Sequence, residues 1–204
     1  MSIFKSYFSK NNTIISQSST NTAKNPISEI FYGGFHSRML LQIDLSEMIN
    51  RIEQGFINRE RIQKHTLKLT NAINPTESSY FNENSPFGTK RATSFRLIVF
   101  KIDESWDEGT GYDYSDTTTL HPFENTYTEN PSNWYYSKGL DLWTEEGARI
   151  DSNIIGYQDF DNGDENIEID ITEYINSVLD GNETHHGIGI SFDIPYESID
   201  TLKE

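Results

Sequence analysis

Carboxylate side chains are concentrated in the stretch DESWDEGTGYDYSD, which directly follows a run of apolar residues. Two carboxyl groups at a set distance can serve as general acid and base in a hydrolase, and several together can form an oxygen cage for Ca²⁺. The acids of this stretch are Asp103, Glu104, Asp107, Glu108, Asp113 and Asp116. No His or Lys is spaced among them to activate a nucleophile.

Chance also explains such a stretch, because the chain contains 32 acidic residues. We therefore interpret it as a solvated loop whose Trp106 folds back onto the protein body, since buried aromatic rings usually serve packing. Asp107, Glu108 and Gly109 are then expected to shape the turn. A hydrolase that uses Asp107 and Glu108 is the alternative interpretation. Our prediction is that the chain is not an enzyme.

A second acidic stretch, QDFDNGDENIEID, crowds carboxylates around Gly163. Its candidate ligands for Ca²⁺ are Asp159, Asp161, Asp164 and Glu165. Their spacing fails the EF-hand pattern, in which acidic or amide side chains alternate and a Glu occupies position 12. A hairpin turn through Asn162 and Gly163 is the simpler interpretation, because Asn-Gly favours tight turns. No other cofactor is predicted, and the adjacent His185 and His186 would point to opposite faces of a strand rather than share a metal.

Several aromatic residues are candidates for contact with a partner protein or a glycan, because an aromatic ring combines a large apolar face with a polar tip. They are Phe4, Tyr7 and Phe8 near the start and Trp134, Tyr135, Tyr136 and Trp143 in the segment NWYYSKGLDLW. Core packing is the alternative for the second group. Residues 1–12 are polar with scattered aromatics, which predicts either an arm that orders on a partner or an edge strand.

The composition predicts one folded domain over residues 1–204, since 34% of the residues are hydrophobic and 13% are aromatic. The net charge of −16 repels the phosphates of nucleic acid and of anionic membranes, so neither is an expected partner. The absence of Cys excludes disulfides and thiolate sites. The first residues lack the apolar region of a signal peptide, and we expect synthesis and folding in a cytoplasm.

Short apolar segments with a period of two predict a protein dominated by strands. The candidates are NTIISQSS, ISEIFYGG, SRMLLQIDL, HTLKLTNAI, FRLIVFKI, LDLW, NIEID and GIGISFDI. Met39, Leu41, Ile43 and Leu45 alternate on one face, whereas Phe95–Ile102 is apolar on both faces and belongs in the middle of the fold. The expected fold is all-β with minor α, an antiparallel jelly-roll-like β-sandwich with two short helices.

Two segments predict the short helices through their capping residues and apolar stripes. SEMINRIEQG has Ser46 as an N-cap candidate and Gly55 at its end. ITEYINSVLDGN follows Asp170, which has capping-box spacing to Glu173, and ends at Gly181. Both helices are shorter than the connections of a parallel α/β sheet, which supports the antiparallel architecture.

Four segments, in this order, resemble one family. SRMLLQIDLSEM resembles the Arg-x-Leu-Leu-x-Phe-Asp-Leu-Ser strand of DNRLRE-type, carbohydrate-binding-module-like β-sandwich domains. FRLIVFKIDESWDEGTGYD is similar to their following strand and Trp-Asp-Glu-Gly loop, and NWYYSKGLDLWTEEGARI takes the place of their Trp-bearing middle segment. IEIDITEYINSVLDGNETHHGIGISF resembles their closing strand, short helix and final strand. The chain departs from the family at Ile43, where Phe is usual, and in residues 58–93 and 110–132.

The resemblance implies a structural role. Such domains occur in bacterial surface proteins and, in a single-domain form, in virion proteins of large tailed phages, including crAss-like phages. For this chain it implies a non-enzymatic component of a virion neck, tail or baseplate that docks on other virion proteins in a symmetric, multi-copy assembly. A glycan-binding module, with or without Ca²⁺, is the alternative, and no sugar-site residue carries across from the family.

Overall fold

The computed structural model describes residues 3–25, 27–32, 35–71, 94–111, 131–161, 163 and 165–197. Its strands are β1 (Phe8–Ile15), β2 (Ser37–Ile43), β3 (Thr66–Leu69), β4 (Phe95–Lys101), β5 (Tyr136–Lys138), β6 (Asp141–Leu142), β7 (Ile154–Phe160), β8 (Ile167–Asp170) and β9 (Ile188–Phe192). Its α-helices are α1 (Ser46–Glu53), α2 (Thr172–Leu179) and α3 (Ile194–Glu197). Short 3-10 turns lie at Arg59–Arg61, Glu146–Ala148 and Asp151–Asn153.

The main sheet has five strands in the order β1-β2-β9-β4-β7, and every neighbouring pair is antiparallel. β3 pairs with β8 in a separate two-stranded ribbon, and β5 pairs with β6 in a short hairpin. The predicted all-β class with few short helices is confirmed. The finer expectation of jelly-roll connectivity stays a prediction.

One face of the main sheet carries an aliphatic core. Alternate residues of the central strands point into it, among them Met39 and Leu41 of β2, Val99 of β4 and Ile190 of β9. The β3–β8 ribbon and helices α1 and α2 cover this face, and their buried residues are Leu67, Met48, Ile169, Tyr174 and Ile175. Burial of these side chains is the main force that holds ribbon and helices on the sheet.

The opposite face carries a tryptophan core. Its members are Ile14, Leu40, Phe100, Ile102, Trp106, Trp134, Trp143 and Ala148. The three Trp come from the loop after β4 and from the segment around β5 and β6. Because β4 sends Val99 to the aliphatic core and Phe100 to the tryptophan core, its predicted burial on both faces is confirmed.

Helices α1 and α2 begin with the same local device, within the similar sequences IDLSEMIN and IDITEYIN. In each, an Asp carboxylate accepts a hydrogen bond from the backbone N–H two residues later. Asp44 Oδ1 lies 3.0 Å from the nitrogen of Ser46, and Asp170 Oδ1 lies 2.9 Å from that of Thr172. Ser46 is therefore the first residue of α1, and Asp44 takes the capping role that the sequence assigns to Ser46.

Two further local predictions are wrong. Residues 27–32, the described part of the strand candidate ISEIFYGG, form no strand. They are held at the start of β2 by Ser37, whose backbone N–H donates to the Phe31 carbonyl at 3.0 Å. The strands beside Gly163 form no hairpin either, because β7 pairs with β4 and β8 pairs with β3.

The side chain of Gln158 joins β7 to β8 in place of a hairpin. Its Nε2 donates to the Asn166 carbonyl at 2.9 Å, and its Oε1 accepts from the Glu168 backbone N–H at 2.7 Å. A carboxamide presents one donor and one acceptor as a peptide group does. The ribbon is thereby attached to the edge of the main sheet through one side chain.

Gly189 of β9 is required by the Phe100 ring of the neighbouring strand. A Cβ at Gly189 would lie 2.0 Å from a ring carbon of Phe100, which is fully buried. We predict that Gly189→Ala lowers the free energy of unfolding by about 1–3 kcal/mol through overpacking, measured by urea denaturation. In combination with Phe100→Leu the loss should be smaller than the sum of the two single losses, because the smaller side chain frees the space. Strict additivity would contradict this explanation.

Candidate functional site

The indole of Trp106 anchors the first acidic loop. Its side chain is 1% exposed, and its Nε1–H donates to the His186 carbonyl at 2.8 Å. Lys10 Nζ donates to the Trp106 carbonyl at 2.8 Å and lies 5.5 Å from the ring centroid. The prediction that this Trp folds back onto the protein body is confirmed.

The carboxylates at the start of this loop accept hydrogen bonds from nearby turns. Asp103 Oδ2 lies 2.6 Å from Asn153 Nδ2, and Glu104 Oε1 lies 2.6 Å from the backbone nitrogen of Thr144. These contacts tie the loop to the segment that covers the tryptophan core. The acids Asp113 and Asp116 lie outside the described residues.

Glu108 protects the edge of the main sheet. Its Oε1 accepts from the backbone N–H of Asn11 in β1 at 2.9 Å and from the Asn11 side chain at 3.3 Å, and Lys24 Nζ lies 3.8 Å from its Oε2. This carboxylate takes the hydrogen bond that an added strand would otherwise take. Glu108, one half of the hydrolase pair considered from the sequence, therefore has a structural role, while Asp107 beside it is exposed.

The carboxamide of Asn21 joins three segments of the chain. Its Nδ2 donates to the carbonyls of Glu108 at 2.7 Å and Ser132 at 2.9 Å. Its Oδ1 accepts from the backbone N–H groups of Gly111 at 2.9 Å and Ala23 at 3.4 Å. Asn21 is 1% exposed, and both donors and both acceptor positions of the amide are used. Sequence reasoning missed this residue, because an Asn in a Ser/Thr/Asn-rich segment is typical of a loop.

Replacement of this amide by a carboxylate should be costly. We predict that Asn21→Asp lowers the free energy of unfolding at neutral pH by about 2–4 kcal/mol, because a buried charge would face two carbonyl oxygens. Burial raises the pKa of such a carboxyl, so acidification should narrow the gap to the unmodified chain as protonation restores one donor. Chemical denaturation at several pH values measures this gap.

Asn50→Asp is the matched control. Asn50 is exposed on α1, and its Oδ1 accepts from Gln54 Nε2, a bond that Asp can keep. Its substitution should change the unfolding free energy by no more than about 0.5 kcal/mol. Equal losses for the two variants would contradict the role assigned to Asn21.

The second acidic stretch is held by ion pairs and backbone contacts. Asp159 accepts two hydrogen bonds from Arg96, at 2.7 and 3.1 Å, and these hold the pKa of its carboxyl below the ordinary value. Glu165 Oε1 accepts from the backbone N–H of Asp161 at 2.9 Å. Asp164 lies outside the described residues. Within the described ranges, no group of three or more His, Asp or Glu side chains is placed to hold a metal ion.

The two Trp residues considered as contact sites lie in the tryptophan core. Trp134 and Trp143 are each 6% exposed, and Trp143 Nε1–H donates to the Asn133 carbonyl at 2.8 Å. Tyr135 and Tyr136 are half-buried. A sugar platform needs an open ring face, which neither Trp provides. Among these four aromatics, only the two Tyr keep partial access to solvent.

His185, which is partly buried, and Tyr174, which is buried, form a polar pair at the end of β2. The Tyr174 hydroxyl lies 2.8 Å from His185 Nδ1 and 3.2 Å from the Gly187 carbonyl, while His185 Nε2 lies 2.9 Å from the Ile43 carbonyl. The neutral tautomer with its proton on Nε2 donates to the Ile43 carbonyl and accepts from the Tyr174 hydroxyl, whose single proton is then not available to the Gly187 carbonyl. Burial lowers the pKa of His185 from its ordinary 6.5 and raises the pKa of Tyr174.

Stability should therefore fall in mild acid. The pKa of His185 is lower in the folded chain than in the unfolded chain, so below about pH 6.5 the unfolded chain binds more protons and the unfolding free energy decreases. Burial lowers the pKa of His36 and His65 in the same direction. We predict that His185→Gln, whose amide can keep both contacts without titrating, loses less stability between about pH 7 and pH 5 than the unmodified chain. Parallel pH profiles from thermal unfolding would contradict it.

A set of exposed apolar residues, here called the aromatic edge, lies at the start of the chain. It consists of Ile3, Phe4, Tyr7 and Phe8, which are 80%, 38%, 74% and 37% exposed. The Tyr7 carbonyl accepts from the Asp44 N–H at 2.7 Å, so the segment continues along the end of β2 toward α1. Of the two expectations for residues 1–12, the edge strand holds for residues 8–12, which belong to β1.

The aromatic edge adjoins the part of β1 that lacks the cover found farther along. The second half of β1 is covered by Glu108 at Asn11, by Thr22, whose Oγ1 donates to the Thr13 carbonyl at 3.0 Å, and by a bridge at Ile14. In the described part of the chain, no such contact reaches the outer edge of residues 8–10. This corner therefore combines exposed rings with open backbone.

A buried charged cluster, which sequence reasoning missed, lies at the other end of β2. Arg38 Nη2 and Nε lie 2.8 and 3.2 Å from the two carboxylate oxygens of Glu197, and Arg149 Nη1 lies 2.7 Å from its Oε2. His36 Nε2 lies 3.9 Å from the same oxygen. The side chains of Arg38, Arg149 and Glu197 are only 7%, 8% and 5% exposed. An Arg inside the apolar run SRMLLQ is the one signal that could have indicated the cluster.

An open cleft of about 470 Å³ adjoins this cluster. It is lined by Arg38, Glu145, Glu146, Arg149, Ile150, Asp151 and Ser152. Its lining includes both Arg and carboxylate side chains, so the cleft has no strong preference for ions of one sign.

No helix within the described ranges is long and apolar enough to cross a membrane. No family model, no curated protein and no solved structure matches the chain. The resemblance to DNRLRE-type domains therefore stays a prediction.

Proposed function

We propose that this chain is a non-enzymatic structural component of a tailed-phage virion, located in its neck, tail or baseplate, that docks on neighbouring virion proteins through the aromatic edge. The observation that carries the docking role is the exposure of Tyr7 (74%) beside the backbone of residues 8–10, whose outer edge none of the described residues covers. The virion assignment rests on the sequence resemblance alone.

The aromatic edge has the two components of a strand-addition interface. In such interfaces an extended segment from a partner pairs with an open sheet edge, and backbone hydrogen bonds supply affinity while pockets for alternate side chains supply specificity. Residues 8–10 offer the backbone edge, and Phe4, Tyr7 and Phe8 offer apolar surface. Edge strands that must stay unpaired are usually blunted by charge or cover, as Glu108 blunts the second half of β1.

The negative net charge limits association to specific interfaces of this kind. A net charge of −16 keeps copies of the chain apart wherever no specific contact attracts them. Association is thus restricted to surfaces where apolar contact and hydrogen bonding exceed the repulsion, and many copies can then be placed in a closed ring. Calcium and glycan binding stay predictions, and the burial of Trp134 and Trp143 takes the two largest candidate rings away from a sugar.

The virion assignment is tested by mass spectrometry of purified phage particles. The chain should be present in an amount that corresponds to several copies per particle, and it should remain after a high-salt wash that removes loosely bound protein. Its absence from washed particles would overturn the proposal.

The docking surface is tested by Tyr7→Ser. The side chain is exposed and makes no core contact, so we predict an unfolding free energy within about 0.5 kcal/mol of the unmodified chain and a loss of incorporation into particles of at least tenfold, the effect of about 1.4 kcal/mol at a docking hot spot. The matched control is Tyr157→Ser on β7, at the opposite edge of the same sheet, where Tyr157 is 58% exposed. Equal incorporation of both variants would contradict docking through the aromatic edge.

A further inference from the structure

The Arg38–Arg149 pair is built to receive a carboxylate. Two guanidinium groups converge on Glu197 with three nitrogens within 3.2 Å of its oxygens. Arg38 binds both oxygens with its Nε and Nη2, which is the forked geometry that recognises a planar carboxylate. Arg149 adds a second cation on Oε2. Such an arrangement discriminates a carboxylate from a neutral amide or a hydroxyl.

Arg38 is held in place by groups other than Glu197. Its Nη1 donates to the carbonyls of Gly147 at 2.7 Å and Glu146 at 3.3 Å, and its guanidinium lies 4.6 Å from the Trp134 ring centroid. Gly147 has a φ of 75°, and a Cβ there would lie 2.5 Å from Arg38 Nη1 and 2.6 Å from the Trp134 ring. The turn is thus shaped around the guanidinium and keeps it on the ring.

Arg149 is likewise held in place by groups other than Glu197. Its Nη1 lies 3.1 Å from Ser191 Oγ and 3.3 Å from the Phe192 carbonyl, and its Nε lies 3.2 Å from Asp151 Oδ1. Ser191 and Phe192 belong to the central strand β9, and Asp151 lies on a 3-10 turn. Both cations therefore have partners other than Glu197 that restrict their positions, which reduces the ordering cost of binding a carboxylate.

The carboxylate of Glu197 belongs to a short helix. Glu197 ends α3, a helix of four residues of which none is buried as a whole. The side chains of Arg38 and Arg149 are 7% and 8% exposed in the structure, and removal of Glu197 would take away the carboxylate that both contact, while Asp151, itself 63% exposed, stays within ion-pair distance of Arg149. A buried cation without a partner is strongly unfavourable. The Arg38–Arg149 pair therefore has a large driving force to bind another carboxylate.

We propose that Arg38 and Arg149 form a preorganised carboxylate-binding site that Glu197 fills from within the chain and that accepts a carboxylate from another molecule when Glu197 is displaced. The ligand is a carboxylate group, either on a small free anion or on an acidic side chain of another protein. The proposal does not depend on the aromatic edge or on the virion assignment, since it uses a different surface.

The test uses Glu197→Ala in the full chain, with sodium acetate as the probe and sodium chloride at equal ionic strength as the control. Acetate should raise the melting temperature of this variant in a saturable manner, by roughly 5 °C, through preferential binding to the folded state. The unmodified chain should give the same melting temperature in both salts, because Glu197 fills its site. Glu60→Ala, which removes an exposed Glu on a turn, is the matched control and should behave like the unmodified chain. Equal melting temperatures of Glu197→Ala in acetate and chloride would overturn the proposal.

Two further arms complete the test. If Glu197→Ala does not fold in chloride, the yield of refolding in acetate is compared with that in chloride, and refolding in neither salt overturns the proposal. The source of the carboxylate is distinguished with the tripeptides Gly-Glu-Gly and Gly-Gln-Gly, each blocked at both ends. Stabilisation by the Glu peptide and not by the Gln peptide assigns the site to acidic side chains, whereas stabilisation by acetate alone assigns it to small free anions.

Discussion

Burial of β4 and β9 on both faces is the constraint on which the rest of the structure depends. Val99 and Phe100 are adjacent in β4 and fully buried on opposite sides of the sheet, so each side needs its own cover. The β3–β8 ribbon and two helices cover the aliphatic core, and their backbone groups pair within the ribbon and helices. The tryptophan core is covered mainly by loops and one short hairpin, in which many backbone groups have no regular partner and must find one elsewhere.

The polar side chains of the loops serve this requirement. Glu104 accepts from the Thr144 backbone, Glu108 accepts from Asn11, and Asn21 satisfies four groups at once. Three acids of the dense acidic loop, Asp103, Glu104 and Glu108, are therefore explained by hydrogen bonding at the margin of a buried core. The same residue types would be needed for catalysis or calcium binding, which is why sequence alone leaves those alternatives open.

Local patterns were sufficient for some elements and insufficient for others. β2, β4 and α2 could be predicted because a period of two or a helical stripe records burial within a few consecutive residues. Residues 27–32 contain apolar side chains that pack on the aliphatic core from an irregular backbone, as Ile30 and Tyr32 do, so apolar content did not require a strand. β7 escaped prediction because it is an edge strand with mostly exposed or half-exposed residues, and its pairing depends on β4 far away in the sequence.

The functional surfaces divide in the same way. Arg38 and Glu197 are 159 positions apart, and no local pattern connects them. The aromatic candidates share a residue type in the sequence, and their exposure in the structure distinguishes them from one another. Trp134 and Tyr7 are both candidates for contact in the sequence, with core packing as the alternative for Trp134, and in the structure Trp134 packs on a guanidinium inside the protein while Tyr7 is exposed to solvent. The buried charged cluster is therefore enclosed, and its opposite charges pair with one another, whereas the rings of the aromatic edge are exposed to solvent. The Arg38–Glu197 pair ties α3 to β2 inside the protein, whereas an exposed ring such as that of Tyr7 stays accessible to contact from outside.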